Sequence, residues 1–203
     1  MFPVMVHKNL SNTCTTCEFN CFSNFIRPRV EYLRIGVPLY EASLKCNWKD
    51  AKAILDVRPS LVRYSITENG ETPLHVAASV KDDSKRVEEF VKKLVAMMGQ
   101  DELELQNKHR NTALFLAACA GNLKTVKIMA EANMRLFKIP GGNGRMMPLY
   151  AAALYAKKDV VEYIYKETKI LGDEQGWNPL YRSRLVEKCI ENNMFGKHFA
   201  NMI

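Results

Sequence analysis

Thr72-Pro73-Leu74-His75-Val76-Ala77 is the stretch that decides the fold of this 203-residue chain. Its pattern has a leucine at the third position, a ring-bearing side chain at the fourth and an alanine at the sixth. The same pattern recurs in three further stretches: Val37-Pro38-Leu39-Tyr40-Glu41-Ala42, Thr112-Ala113-Leu114-Phe115-Leu116-Ala117 and Met147-Pro148-Leu149-Tyr150-Ala151-Ala152. The four leucines are 35, 40 and 35 residues apart. A recurrence at this spacing is typical of a repeat protein, in which each unit buries its apolar face against its neighbours.

Each unit carries the local signals of a short inner helix, a turn, an outer helix and an extended finger. Pro38 begins the first inner helix, where its missing N–H would have no partner in any case. Gly121 allows the left-handed backbone that ends the third inner helix. Asn69-Gly70 and Asn143-Gly144 are turn signals at the finger tips. These signals predict an all-α solenoid of stacked helix-turn-helix units with short β-hairpin fingers.

The second copy agrees with the T-P-L-H-x-A signature of the ankyrin repeat at each fixed position, so the chain resembles an ankyrin-repeat protein. Gly36-Val37-Pro38-Leu39-Tyr40-Glu41-Ala42 and Trp48-Lys49-Asp50-Ala51-Lys52 also resemble the opening units of a plant family. That family joins cytosolic ankyrin repeats to a C-terminal membrane region named for a Pro-Gly-Gly motif. The resemblance covers roughly residues 36–203. It implies a role in stress or defence signalling and no catalytic residues.

The pattern divides the chain into three expected segments. We expect a poorly ordered leader at residues 1–35, four ankyrin repeats at 36–171 and a degenerate or truncated fifth repeat at 172–203. The inner helix of that fifth repeat is predicted at residues 184–192. Pro140-Gly141-Gly142 lies between two repeats and is not the motif that names the plant family. The pattern decays after Gly172 without the polar capping unit that solenoids usually need, so we expect a truncated product, or the front portion of a longer architecture.

The charge balance favours association with acidic groups without singling out a partner. The chain has 29 Lys and Arg against 22 Asp and Glu, a formal net charge of +7. Because these basic residues are scattered, nucleic acid is disfavoured as a partner. The repeat scaffold predicts protein partners and no small-molecule substrate. No apolar run approaches the ~18 residues that a membrane-spanning helix needs.

The predicted location is the cytoplasm. The first residues lack a secretion signal, and six cysteines in such a chain are expected to be reduced thiols. The family resemblance adds the cytosolic face of the plasma membrane as a second location, so peripheral association with a membrane stays open.

Cys14, Cys17 and Cys21, with His7 upstream, are the candidate metal ligands. Zinc takes four ligands, usually from two C-x2-C pairs, and the second pair is missing here. We therefore predict free thiols and no metal. The glycines of residues 140–145 lack the Lys-Ser/Thr pair of a phosphate-binding loop, so a finger turn explains them better. The sequence predicts no cofactor, no catalytic residue and no enzyme activity.

Two sets of residues are assigned roles from the repeat pattern. Thr72 and His75 are polar groups beside a buried turn, where ankyrin repeats form hydrogen bonds between neighbouring units, so their predicted role is structural. The predicted structural motif comprises Pro38, Leu39, Ala42, Thr72, Pro73, Leu74, His75, Ala77, Thr112, Leu114, Ala117, Gly121, Pro148, Leu149 and Ala152. The predicted partner-binding residues stand at the finger tips: Asn69, Glu71, His109, Arg110, Asn143 and Arg145.

The sequence therefore predicts a non-catalytic protein–protein interaction module, a scaffold or adaptor. One alternative is the cytosolic regulatory part of a membrane signalling protein, which the plant family implies. The second alternative is a nucleic-acid binder acting through its basic surface, whose affinity would fall steeply with salt.

Overall fold

The computed structural model of the protein describes residues 32–82, 84–168, 177 and 179–194. A π turn at Tyr32–Gly36 precedes the helices, and 3-10 turns follow at Pro59–Arg63 and Met134–Lys138. In chain order the described helices are α1 (Val37–Leu44), α2 (Trp48–Leu55), α3 (Pro73–Ala78), α4 (Lys85–Val95), α5 (Gln100–Leu103), α6 (Ala113–Ala120), α7 (Leu123–Ala132), α8 (Pro148–Leu154), α9 (Lys158–Thr168) and α10 (Pro179–Glu191).

The helices form two parallel layers. The inner layer runs α1, α3, α6, α8 and α10, and each of these helices packs against the next. The outer layer contains α2, α4, α7 and α9, each packed against its own inner helix. The outer helices α4, α7 and α9 also pack in sequence. The all-α solenoid that the sequence predicts is therefore confirmed.

The repeated leucines form the centre of the stack. Leu39, Leu74, Leu114 and Leu149 are 0 to 3% exposed. The alanine three residues after each leucine is buried as well, which lets neighbouring inner helices approach closely. One hydrophobic cluster runs from the first unit to α10, so each unit depends on its neighbours for burial of its apolar face.

The helix starts follow the sequence signals. Thr72 and Thr112 cap α3 and α6, because each side-chain oxygen accepts a hydrogen bond from the backbone N–H three residues later. Pro38, Pro73 and Pro148 stand in the first turn of their helices, where no N–H is needed.

Four inner helices end in the same left-handed turn. The residues with positive φ are Cys46, Gly121, Ala156 and Asn193. After each one, the next backbone N–H donates to the carbonyl five residues earlier, at N···O distances of 2.8 to 3.0 Å. This closure satisfies carbonyls that the helix leaves without a partner. Its presence after α10 gives this helix the same ending as α1, α6 and α8.

The fingers are tight turns more than regular hairpins. In the described part of the chain, the one isolated bridge joins Gly141 to Met146 in antiparallel fashion. The second-unit turn closes through the N–H of Ile66, which donates to the carbonyl of Glu71. The predicted β-hairpin fingers therefore amount to short turns carrying at most a single bridge within the described residues.

The predicted segment boundaries are not settled by these helices. Residues 1–31, which include His7, Cys14, Cys17 and Cys21, lie outside the described residues, so the leader and its candidate metal ligands stay predictions. Helix α10 begins at Pro179, ahead of the predicted start at residue 184. Among the described helices, none has the length and apolar character needed to cross a bilayer.

Candidate functional site

The finger tips of the second, third and fourth units are joined by their backbones. The N–H of Lys108 donates to the carbonyl of Asn69 at 2.8 Å, and the N–H of Asn143 donates to the carbonyl of His109 at 2.8 Å. Each tip is therefore held to the next one. Side chains on these turns stand on one continuous edge of the stack.

Two asparagines fix the third finger from within. Asn107 is buried, and its side-chain oxygen accepts from the N–H groups of His109 and Asn111, both at 3.0 Å. The side-chain oxygen of Asn111 accepts from the N–H of Gly142 in the next finger at 2.6 Å. Because these buried or half-buried polar groups are paired, the tip is a preorganised surface.

The structure brings the predicted partner-binding residues together on this edge. Asn69, His109, Arg110, Asn143 and Arg145 are all exposed at the tips. Glu71 differs, since it is half-buried and its carboxylate accepts a hydrogen bond from the Thr67 hydroxyl at 3.0 Å. The placement suits contact with a partner, and the binding role of these residues stays a prediction.

Arg110 occupies a position that favours glycine. Its φ is +57°, and Gly70, which stands at the equivalent position two residues before Thr72, has a φ of +77°. A non-glycine residue in this left-handed region costs about 1–3 kcal/mol. The Arg110 guanidinium lies over Gly144, where a Cβ would stand 3.2 Å from Nη1. The absence of a side chain at Gly144 therefore leaves room for the guanidinium.

A cavity of about 220 Å³ opens beside the fourth finger. We call it the fourth-finger pocket. It lies between the finger, helix α8 and the start of α10, and its lining is mainly apolar and rich in aromatic and methionine side chains. The lining residues are Pro140, Gly144, Arg145, Met146, Met147, Tyr150, Trp177 and Tyr181.

Arginines at the mouth of this pocket differ from those elsewhere in the stack. Among the described residues, no carboxylate forms an ion pair with Arg110 or Arg145. By contrast, Arg63 pairs with Glu102 at 3.0 Å and Arg135 pairs with Glu104 at 2.7 Å. The guanidinium groups beside the pocket therefore have hydrogen-bonding capacity for an acidic group.

The predicted structural residue His75 is held from both sides of its ring. Its Nε2 lies 3.1 Å from the backbone carbonyl of Asn111 in the next unit, which can only accept, so Nε2 carries the hydrogen. Its Nδ1 accepts from the Thr72 N–H at 3.3 Å and lies 2.8 Å from the Thr72 hydroxyl. These bonds need the neutral ring.

Burial lowers the pKa of His75 to about 4, and the carbonyls of Asn111 and Leu105 oppose that shift. The ring is therefore uncharged near neutral pH and joins the second unit to the third. Because both ring nitrogens of this buried histidine take part in hydrogen bonds, neither is available for catalysis.

A second cavity, of about 600 Å³, lies on the outer side between the α1–α2 turn and α4. Its basic groups already have partners. Lys45 pairs with Glu41 at 3.3 Å, Lys85 with Glu89 at 3.8 Å and Arg86 with Asp82 at 3.6 Å. The Lys93 ammonium lies 5.3 Å from the centre of the Trp48 ring. This outer cavity is therefore less suited to a charged ligand than the fourth-finger pocket.

Other candidate chemistry has no geometric support in the described residues. Burial raises the pKa of the Cys46 and Cys189 thiols to about 11 and that of Cys119 to about 12, so these thiols are protonated and unreactive near neutral pH. The N–H of Gly141 donates to the Met146 carbonyl, so a finger turn accounts for this donor. Within the described ranges, no three His, Cys, Asp or Glu side chains are grouped as a metal site.

Residues 39–138 match the family profile described as Ankyrin repeats (3 copies). The chain contains ankyrin repeats. The matched range covers the first three units, and the ankyrin form of the predicted solenoid is thereby confirmed. The helix pairs around α8 and after it continue the ankyrin stack beyond the match.

Two viral proteins are similar to this chain. The interferon antagonist OPG039 of monkeypox virus is 31% identical over 99 residues, and the interferon antagonist OPG040 of vaccinia virus (strain Western Reserve) is 32% identical over 103 residues. These alignments cover 49% and 51% of this chain. The chain spans about a third of the length of these relatives, 32% and 33%.

The fourth-finger pocket was not predicted from the sequence. Tyr150 was noted only as the ring-bearing side chain at the fourth motif position, and the structure shows that its ring is half-buried and lines the cavity. Tyr181, which lines the pocket from α10, lies before the helix that was predicted at residues 184–192.

Proposed function

We propose that this ankyrin-repeat protein is a non-catalytic interaction module, a scaffold or adaptor, that binds a partner protein along its finger tips. The observation that carries the proposal is the row of tips joined by backbone hydrogen bonds, which ends at an apolar pocket flanked by Arg110 and Arg145. A rigid edge with exposed side chains suits recognition, since little order must be gained on binding.

The family supports this proposal at the level of a binding role. Ankyrin stacks present extended surfaces to other proteins. The two viral relatives are named interferon antagonists, and their similarity to this chain spans about 100 residues, 99 and 103, roughly a third of each. The proposed binding role therefore rests on the repeats, and interferon antagonism is said only of those two proteins.

A finer role in stress or defence signalling rests on the plant-family resemblance of the opening units. It includes the alternative that this chain is the cytosolic regulatory part of a membrane signalling protein. The proposed location is the cytoplasm or the cytosolic face of the plasma membrane. Fractionation of native tissue tests it: recovery with washed plasma membranes or cytosol supports the proposal, and recovery in the secreted fraction contradicts it.

Nucleic-acid binding through the net charge of +7 is the weaker alternative. Many basic side chains of the described residues pair with acidic ones, as Lys92 and Lys124 both do with Glu88. A titration with mixed-sequence DNA at 50 and 200 mM salt tests it. Tight binding that falls about a thousandfold between these salt concentrations would favour this alternative.

Affinity capture with matched charge reversals tests the main proposal. The finger variant carries Arg110→Glu and Arg145→Glu, and the control carries Lys85→Glu and Arg86→Glu at the outer cavity. Both reverse two basic residues, so their net charges are equal. We expect proteins retained by the wild-type chain to be lost by the finger variant and kept by the control. Equal retention by both, or loss in the control alone, contradicts binding at the tips.

A further inference from the structure

We propose that the fourth-finger pocket binds a linear acidic segment of a partner protein, with one large apolar side chain of that segment inside the pocket. The neighbouring acidic groups of the segment pair with Arg145 and Arg110. This inference rests on the proposed interaction function and specifies the chemistry of the partner at one place on the finger edge.

The size of the pocket selects a single side chain as its occupant. Sites for whole small molecules usually measure about 300–1,000 Å³, and this pocket has about 220 Å³. Its walls include the rings of Tyr150, Trp177 and Tyr181 and the flexible side chains of Met146 and Met147. Aromatic and methionine surfaces suit an apolar anchor, since these residues are enriched at the cores of protein interfaces.

The two positively charged arginines beside the pocket favour acidic groups next to the apolar anchor of the segment. Arg145 lines the pocket, and the Arg110 guanidinium lies over Gly144, another lining residue. Neither arginine forms an ion pair with a described carboxylate. Guanidinium groups bind carboxylates through two parallel hydrogen bonds, so a segment with an acid next to its anchor would satisfy both features.

The side chain of Arg110 stands at a turn position that holds glycine in the second unit. Glycine would adopt the φ of +57° freely, as Gly70 does at +77°. Arginine instead keeps a conformation that is costly for a residue with a Cβ. The side chain places its guanidinium over Gly144, at the mouth of the pocket.

A free phosphate or a nucleic-acid backbone fits the site less well. The pocket lining is mainly apolar, and neighbouring backbone donors are occupied, since Gly142 N–H binds the Asn111 side chain and Gly141 N–H binds the Met146 carbonyl. An anion without an apolar group would leave the aromatic walls unfilled.

Peptide binding to the full chain tests the proposal. The probes are fluorescein-labelled octapeptides with a central phenylalanine or leucine and four aspartates or glutamates placed before it, after it or on both sides. We expect saturable binding by fluorescence anisotropy. Replacing the central residue by serine, or the acids by their amides, should weaken binding about tenfold each, as loss of an anchor or of charged hydrogen bonds does.

Protein variants locate the binding. Arg145→Gln and Arg110→Gln should each weaken the best peptide about tenfold. Arg110→Gly should weaken it equally while raising the thermal midpoint, because glycine relieves the left-handed backbone. The matched control is Arg86→Gln at the outer cavity, which should leave the affinity unchanged. In a Trp48→Phe background, Trp177 alone reports binding through its emission.

The proposal is overturned if no peptide of the set binds, if Arg145→Gln leaves the affinity unchanged, or if Trp177 emission does not respond to bound peptide. Displacement of the peptide by inorganic phosphate or by a short single-stranded oligonucleotide at micromolar concentration also overturns it. If peptides fail while the finger variant still loses captured proteins, the pocket inference fails and the interaction module stands. If the finger variant keeps those proteins, the interaction module fails too.

Discussion

The second and fourth units build the same inner helix with different motif residues. In the second unit, Thr72 caps α3 and the buried His75 bonds to the third unit. In the fourth unit, Met147 provides no side-chain cap and Tyr150 lines a pocket. Leu74 and Leu149 remain buried in both, at 1% and 3% exposure. The comparison shows that the leucine is buried in both units, whereas the fourth motif position joins two units in one case and lines a pocket in the other.

The largest expected effect on stability is at the buried leucine that the two units share, Leu74 in the second and Leu149 in the fourth. Leu74→Ala and Leu149→Ala should each lower the free energy of unfolding by about 3 kcal/mol, through lost burial and the cavity left behind. Urea denaturation followed by circular dichroism measures both. Leu180→Ala is the control, since Leu180 is 55% exposed and its loss should cost less than about 0.5 kcal/mol. A cost under about 1 kcal/mol for Leu149→Ala would show that the fourth unit is not packed like the second.

The next effect belongs to the second unit alone and depends on pH. The pKa of His75 falls from 6.5 to about 4 on burial, so the unfolded chain binds a proton between these values while the folded chain does not. The stability that His75 contributes is therefore complete above pH 6.5 and is lost as the pH falls towards about 4. The loss amounts to about 3 kcal/mol.

The measurement compares wild type with His75→Leu in urea at pH 7.5, 6, 5 and 4. Carboxylates titrate in both proteins, so the difference between the two isolates the histidine. We expect the stability gap to shrink by about 3 kcal/mol over this range. A gap that stays constant would mean that the ring is not buried in its neutral form.

A smaller effect comes from the helix caps and has opposite signs in the two units. Thr72→Val removes the oxygen that caps α3 and should cost about 1 kcal/mol, whereas Met147→Thr offers α8 a cap and should gain up to about 1 kcal/mol. Thermal unfolding of both variants measures the difference. If Met147→Thr destabilises the chain, the start of α8 does not have the geometry of the start of α3.

The smallest effect on stability is expected at Tyr150. Tyr150→Phe keeps the ring and removes only a hydroxyl on a half-buried side chain, so the unfolding free energy should change by less than about 0.5 kcal/mol. The His75→Phe variant is the matched change in the second unit. It should cost several times more, because it leaves the Asn111 carbonyl and the Thr72 N–H without partners.

The sequence predicted those features that a local pattern or the repeat period specifies. The buried leucines recur at the repeat period, and the Thr72 cap and the left-handed turn at Gly121 each follow from the pattern of one helix or turn. Helix α10 begins earlier than predicted, because Pro179 is tolerated in the first turn of a helix. Its buried residues Leu185 and Cys189 form the face that packs on the core.

The pocket could not be predicted in the same way. It is lined by Met146 from a finger, Tyr150 from α8 and Tyr181 from α10. The distances between these residues in the sequence do not indicate that their side chains lie close together in the fold. The positive φ of Arg110 could not be predicted either, because arginine, unlike glycine, does not indicate a left-handed backbone. The sequence predicted that Arg110 and Arg145 stand at the finger tips. It did not predict the cavity between these arginines and α10.

The affinity of the best acidic peptide for Tyr150→Ala and for His75→Leu, each measured under conditions where the variant is folded, tests the contrast between the two units most directly. Because Tyr150 lines the pocket and His75 joins two units, we expect Tyr150→Ala to weaken binding about tenfold or more and His75→Leu to leave it unchanged. Unchanged affinity in Tyr150→Ala would contradict the account, because the fourth motif would then be as structural as the second.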